Sequence, residues 1–224
     1  MSASAFVGRF DVSRETLGRL ETYADLLKRW QKTINLVAPK TLDDVWYRHF
    51  VDSAQLFPLV PDGARRLIDL GSGAGFPGLV LAILAAERDP WQKLGQRRGL
   101  DVTLVESDTR KAAFLREVAR QTGIAVDIMS TRIESMTNSA NVESADVITA
   151  RALAPLVRLF ELAEPLFAPQ TVGLFLKGKT VDDEVVSVRQ HWEFGLELKE
   201  SVTDAEGRIA VIRHLKRKKG VLIP

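Results

Sequence analysis

The sequence predicts an α/β fold: a doubly wound, mostly parallel sheet of seven strands with an N-terminal helical appendage. Three observations carry this. Strand-like and helix-like patterns alternate from Arg66 to Trp192, the order that parallel βαβ units require. One unit, Leu67-Ile-Asp-Leu-Gly-Ser-Gly-Ala-Gly-Phe-Pro-Gly78, brings a glycine turn to the end of a buried strand, where open α/β sheets bind ligands. The last two strand patterns, Phe194–Val202 and Arg208–Leu215, flank an Asp204-Ala-Glu-Gly207 turn, so the closing strand should run antiparallel.

The elements follow in order. Leu17, Leu20, Ala24, Leu27 and Trp30 recur at three or four residues and give one helical face, with Asp11 and Ser13 as candidate N-caps. A second helix is expected from near Thr41, with Asp44 in capping-box spacing, through Val45, His49 and Leu56. Pro58, Pro61, Asp62 and Gly63 then break the pattern, which sets an appendage at 1–63, a central domain at 64–216 and a basic tail at 217–224. In the central domain the strand Leu67–Leu70 leads into a helix over Leu79–Ala86, opened by Pro77 where a missing N–H costs nothing. Asp101–Glu106 reads as the second strand, and Ser107 or Asp108 caps a helix that buries Ala112, Leu115, Val118 and Ala119 and ends at Gly123. Ile124, Val126 and Ile128 alternate as a third strand, and a polar loop covers Ser130–Ser144. Asp146–Arg151 and Thr171–Leu176 are the fourth and fifth strands, followed by helices over Leu156–Phe167 and Asp182–Trp192.

Composition narrows the function. Hydrophobic residues at 46% and charged residues at 27% suit a soluble globular chain of 224 residues. The absence of cysteine excludes disulfides, thiolate metal sites and a catalytic thiolate. No charged segment followed by an apolar leader opens the chain, and the longest apolar run, Leu79–Ala86, is too short to span a bilayer; a cytoplasmic location without membrane contact is expected. Six basic residues and no acid follow Glu206, which leaves 25 Lys and Arg against 29 Asp and Glu in the rest. Such asymmetry is either a nucleic-acid footprint or a solvated end. The three histidines are scattered and no cluster has metal-ligand spacing, so no metal is expected.

The glycine turn reads G-x-G-x-G. A dinucleotide fingerprint would need glycine where Phe76 stands, and the pattern instead resembles motif I of the S-adenosylmethionine methyltransferases. Gly71 and Gly73 free the backbone to approach a ligand. At the end of the next strand Glu106 can accept from a ribose diol, or can merely favour the helix that follows it. Its distance from the glycines exceeds the usual spacing of about 20 residues because a polar segment, Glu87–Leu100, intervenes. Arg151 closes the fourth strand at the ligand edge, as a site residue or as an ion-pair partner. His49 and Asp52 share a helix face and either border the cleft or dock the appendage. Lys177 and Lys179 either hold a phosphate or are solvated.

Trp30-Gln-Lys-Thr-Ile-Asn-Leu36, Arg48-His-Phe-Val-Asp-Ser53, the glycine turn, Thr149-Ala-Arg-Ala152 and Leu176-Lys-Gly-Lys179 occur in one order along the chain. In this the sequence resembles the glucose-inhibited division protein B family, bacterial methyltransferases that act on a guanine N7 of 16S ribosomal RNA. The resemblance runs from about residue 20 to about 215. It implies a seven-stranded class I methyltransferase core, S-adenosyl-L-methionine as cofactor, and 16S ribosomal RNA of the small subunit as partner, with a monomer expected. By matching motif it implies cofactor contacts at Gly71, Phe76, Ile133, Glu134 and Arg151, with Arg151 in a positioning role. The segment 87–100 and the Asn/Ser loop near 137–144 depart from the family pattern. Guanine N7 has a free lone pair, so its methylation needs no general base. The lack of cysteine excludes cytosine C5 chemistry by a thiolate adduct, and no Asn/Asp-Pro-Pro-aromatic sequence is present to hold an exocyclic amine. Loops after parallel strands share the cofactor side, and the antiparallel last strand begins there. Arg132, Lys177 and Arg208 are therefore expected to rim the cofactor mouth and contact RNA. The competing readings are a nicotinamide-dependent oxidoreductase and a non-catalytic RNA-binding protein.

Overall fold

The computed structural model describes residues 2–88, 99–137 and 143–218. The segment 87–100 and the loop near 137–144 lie largely outside the described residues, as does most of the basic tail. Seven strands form one sheet: β1 (Arg66–Leu70), β2 (Asp101–Val105), β3 (Asp127–Met129), β4 (Ala145–Arg151), β5 (Phe167–Lys177), β6 (Trp192–Glu200) and β7 (Arg208–Arg217). Their order is β3-β2-β1-β4-β5-β7-β6, and β7 alone pairs antiparallel with both its neighbours. The order reverses between β1 and β4, and this is where doubly wound sheets open a ligand crevice. Lys177 pairs in register with Arg208, so the start of β7 reaches the same edge as the end of β5, as expected.

The helices are α1 (Ala3–Phe10), α2 (Arg14–Trp30), α3 (Asp52–Ala54), α4 (Gly78–Arg88), α5 (Thr109–Thr122), α6 (Ile133–Thr137), α7 (Leu156–Ala163) and α8 (Val181–Val188). Ser13, not Asp11, caps α2 by accepting from Thr16 N–H at 3.1 Å; Asp11 ends α1 in the left-handed region. Asp108 caps α5, and Gly123 closes it at φ +66°. The helix expected from Thr41 is replaced by a 3₁₀ turn at Pro39–Thr41, a π-helical turn at Trp46–Val51 and the single turn α3. Thr41 does not cap it: its hydroxyl donates to Ala38 O at 2.7 Å and meets His49 Nε2 at 2.8 Å. The wider winding aims His49, Phe50 and Val51 into the core together. β3 is shorter than the alternation suggested, and α6 interrupts the expected polar loop.

The appendage and the sheet share one apolar cluster, in which Phe6, Leu20, Tyr23 and Leu27 pack with Leu67, Leu79, Leu104 and Phe114. A second cluster, including Ile148, Phe160, Phe175 and Trp192, fills the opposite face. The appendage also grips the β6–β7 turn. Tyr47 Oη donates to Val202 O at 2.7 Å, Val202 N–H donates to Gln55 Oε1 at 2.9 Å, and Thr203 Oγ1 donates to Asp52 Oδ1 at 2.5 Å.

Gly78 sets how closely α4 lies on the sheet. A Cβ there would stand 2.5 Å from Asp69 Cβ and 2.6 Å from Leu104 Cδ2. Gly78→Ala should therefore lower the unfolding free energy by about 1–3 kcal/mol, the scale of core overpacking, despite alanine's better helix propensity. Urea unfolding checks this, and an equal or higher stability would contradict the close-approach account.

Candidate active site

The glycine turn follows β1, and Gly71, Gly73 and Gly75 lie at φ +66°, +57° and +94°, a region that other residues enter only with strain. The turn is tied down at each step. Ser72 N–H donates to Val105 O at 3.0 Å, and Gly73 N–H donates to Glu106 Oε2 at 2.7 Å. Tyr23 of α2 donates its hydroxyl to Ala74 O. Gly75 makes room for this contact, since a Cβ would meet Tyr23 Oη at 2.5 Å.

A cavity of about 410 Å³ opens beside the turn, bordered by Gly71, Gly73, Phe76, Glu106, Ile133 and Arg151. Glu134 lines it as well, so the cofactor residues expected from the sequence converge on one space; Arg132, expected to face RNA, also borders it. Reasoning from sequence missed Leu36, Lys111 and Leu153, which also line it. Leu36 could have been found, because it ends the Trp30–Leu36 motif of the appendage.

Glu106 borders the cavity and also orders the helix that follows it. The residue is 7% exposed, and besides Gly73 N–H its carboxylate accepts from Asp108 N–H at 2.7 Å, which orders the start of α5. A carboxylate offers about four lone-pair sites; two go to backbone and two remain. Arg151 likewise joins its two readings. It lines the cavity while Nη1 lies 3.2 Å from Asp52 Oδ2 and donates to Arg48 O at 3.3 Å. Phe76 is only 3% exposed, stacked on Tyr23 and His49 with centroids 5.2 and 4.9 Å away, and Arg151 Cζ sits 4.9 Å from its ring. The ring thus serves mainly to clamp the turn to the appendage. Glu134 is held by Arg158, and its carboxyl is lowered by its own backbone N–H and by that arginine.

Two buried titratable groups sit behind the turn. Burial, with Arg151 and Arg48 nearby, pushes His49 down to about 3, so its imidazole is neutral. His49 and Asp52 do not pair with each other; they dock the appendage on Phe76 and Arg151. Asp69, fully buried in β1, is raised by burial to about 6, although Thr149 donates to its Oδ1 at 2.6 Å. Its Oδ2 has no hydrogen-bond partner of good geometry and lies against Gly78.

The expected RNA-facing cations are not equivalent. Arg132 is exposed at the cavity rim. Arg208 reaches the same sheet edge, but its guanidinium folds back onto Ala205 O and Gly207 O at 2.9 and 2.8 Å. Lys177 is not a free rim cation: its ammonium pairs with Glu184 at 2.7 Å and donates to Ala154 O at 3.0 Å, with 11% of the side chain exposed. Among the described residues, no group of acids and histidines could hold a metal ion, and no helix is long and apolar enough to cross a membrane.

The family model described as GidB, rRNA small subunit methyltransferase G, matches residues 16–215. The chain belongs to this family. A ribosomal RNA small subunit methyltransferase G from Parvibaculum lavamentivorans is 50% identical over 215 residues, spanning 96% of this chain and 90% of that one. Its counterpart from Paramagnetospirillum magneticum is 48% identical over 97% of this chain and 98% of its own length. Solved structures share the fold at low identity. A putative class I S-adenosylmethionine-dependent methyltransferase from Listeria monocytogenes has a TM-score of 0.57 at 11% identity, covering 96% of this chain and 72% of its own. A putative O-methyltransferase from Klebsiella pneumoniae has 0.53 at 15%, covering 90% of each. The protein is thus an S-adenosylmethionine-dependent methyltransferase, and the nicotinamide and non-catalytic readings fall away.

The site suits that cofactor on its own geometry. Its volume lies in the range of about 300–1,000 Å³ usual for small-molecule clefts, and at Gly73 the Cβ direction is open, with the nearest atom 3.9 Å away. Glu106→Ala should weaken S-adenosylmethionine binding by about 1.5–3 kcal/mol, the scale of hydrogen bonds to a charged group. Calorimetry on the folded variant measures this; unchanged affinity with lowered thermal stability would leave Glu106 only its role at α5.

Proposed function

We propose that this chain methylates the N7 of a specific guanine in 16S ribosomal RNA, acting as a monomer on the small ribosomal subunit in the cytoplasm. The observation that carries this reading is that the carboxylates lining the cavity and the nearby histidine are already engaged, among the described residues. Glu106 is bonded to the turn and to α5, Glu134 is held by Arg158, and His49 stacks on Phe76 away from the cavity lining. An exocyclic amine or a hydroxyl acceptor would call for a proton acceptor, whereas N7 attacks through its own lone pair. The names of the relatives supply the ribosomal RNA, and the resemblance in sequence motifs supplies the guanine.

S-adenosylmethionine, when bound, supplies a methyl group activated by its sulfonium. The chain's own residues then orient and exclude. Glu106 would hold the ribose hydroxyls through its two remaining lone pairs, and Ile133 would give the adenine an apolar wall. Arg151, fixed by Asp52, would set the position of the acceptor. Holding the reactants in line can contribute about 7–11 kcal/mol, so rigidity of these supports matters more than acid–base groups.

The direct test is methyl transfer to small subunits from a strain that lacks this gene, with the modified atom mapped; label on another base, or none, would refute the reading. Arg132→Ala should leave cofactor affinity unchanged and weaken RNA binding. The slope of log affinity against log salt should become shallower by about 0.7–0.9 for one lost phosphate contact. A salt series that leaves the slope unaltered would remove Arg132 from the RNA face.

A further inference from the structure

The C-terminal ends of β4 and β5 enclose a second hollow, of about 100 Å³. Ala152 and Leu153 belong to its wall and to the wall of the cofactor cavity, so the two spaces are neighbours. The rest of the lining is mainly small or apolar, including Ala150, Leu159 and Leu176, except for the ion pair of Lys177 and Glu184. The two side chains are 11% and 17% exposed. Burial raises the Glu184 carboxyl, but Lys177, the Leu156 N–H and Thr180 outweigh it, and the group stays below the usual carboxylate range and ionised.

The hydrogen-bonding capacity of this pair is nearly used up, and what remains is specific. Lys177 has three N–H donors; one goes to Glu184 Oε2 at 2.7 Å and one to Ala154 O at 3.0 Å. Oε2 also accepts from Leu156 N–H at 2.7 Å, and Oε1 accepts from Thr180 Oγ1 at 2.9 Å. By this count one N–H of Lys177 and one lone pair of Glu184 Oε1 remain, on two groups that are already paired with each other. A ligand edge that matches must carry an acceptor next to a donor. Guanine has this pair in O6 and N1–H, whereas adenine presents the opposite order, an amino donor beside the N1 acceptor. Uracil offers a similar pair but has no N7.

We propose that Lys177 and Glu184 form a guanine-reading subsite, Lys177 donating to O6 and Glu184 accepting from N1–H. The hollow takes the edge of the base, and N7, next to O6 on the ring, is left free toward the shared wall of Ala152 and Leu153. Lys177 then contacts the acceptor edge of the base rather than a phosphate. The subsite rests on the guanine-N7 reading and gives it a source of base selectivity. The pair also caps α7, because Pro155 offers no side-chain bond there and Leu156 N–H turns to Glu184; the test must separate this role from base reading.

Glu184→Gln does so. Its amide oxygen can still serve Leu156 and Lys177, while its NH₂ replaces the open lone pair with a donor and can donate to the Thr180 hydroxyl, which turns to accept. With the full-length protein saturated with S-adenosylmethionine, so that the adenine subsite is filled, calorimetry compares GMP, 1-methyl-GMP and AMP. The wild-type protein should bind GMP about tenfold or more tighter than either of the others, as expected for one hydrogen bond to a charged group. Glu184→Gln should bring the three within about threefold while its cofactor affinity is unchanged. Equal binding of GMP and 1-methyl-GMP by the wild type, no GMP binding, or a preference that survives in Glu184→Gln would overturn the proposal. If the variant fails to fold, the two guanine nucleotides on the wild type decide alone. Methyl transfer to subunits, measured separately, tells failure of this subsite from failure of the functional reading.

Discussion

The contact between Tyr23 and the glycine turn is the constraint on which the site depends. Tyr23 lies in the appendage, fully buried, yet its hydroxyl bonds Ala74 O and its ring stacks on Phe76 at an interplanar angle of 12°. Three glycines at positive φ would otherwise leave the turn free to move, since glycine has the largest backbone freedom to lose. The turn is therefore fixed from two sides, by Glu106 and Val105 of the sheet and by α2 behind it. Burial raises the Tyr23 phenol well above its ordinary range, so it donates to Ala74 O across the accessible pH range.

The same logic extends to Arg151. Its guanidinium would be costly to bury alone, but Asp52 neutralises it, and Asp52 is itself held by Thr203 from the β6–β7 turn. One short chain of contacts links the appendage, the end of β4 and the closing hairpin. The neutral His49 completes it by stacking on Phe76 without adding a second positive charge beside Arg151. In the proposed reaction, whose nucleophile needs no deprotonation, such pre-set geometry is the main means of catalysis left to the protein.

Much of the fold was legible because its signals are local. Alternating apolar residues, Asp108 and Gly123 at the two ends of α5, and the Asp204–Gly207 turn each specify structure over a few residues. The order of strands and the antiparallel β7 followed from connection rules. The π-helical turn was not legible, since Val45, His49 and Leu56 also fit a regular helix; long-range packing of Phe50 and Trp46 against Phe6 and Tyr23 overrides the local pattern. At the site, Gly71, Gly73 and Glu106 could be placed because each follows a strand pattern legible in the sequence. The partners of Lys177 and Arg208 could not, because sequence shows which strand end carries a cation but not which carbonyl or carboxylate will take it. Leu153 reaches the cavity only through tertiary packing.

Cofactor affinity of Tyr23→Phe, measured by calorimetry with S-adenosylmethionine, tests most directly whether the appendage sets the turn. Tyr23 is not among the cavity-lining residues, and the substitution keeps the ring while deleting the hydroxyl. If α2 sets the turn, binding weakens by about 0.5–1.5 kcal/mol, the scale of one net hydrogen bond, in a protein that remains folded. Wild-type affinity with only a lower melting temperature would contradict it.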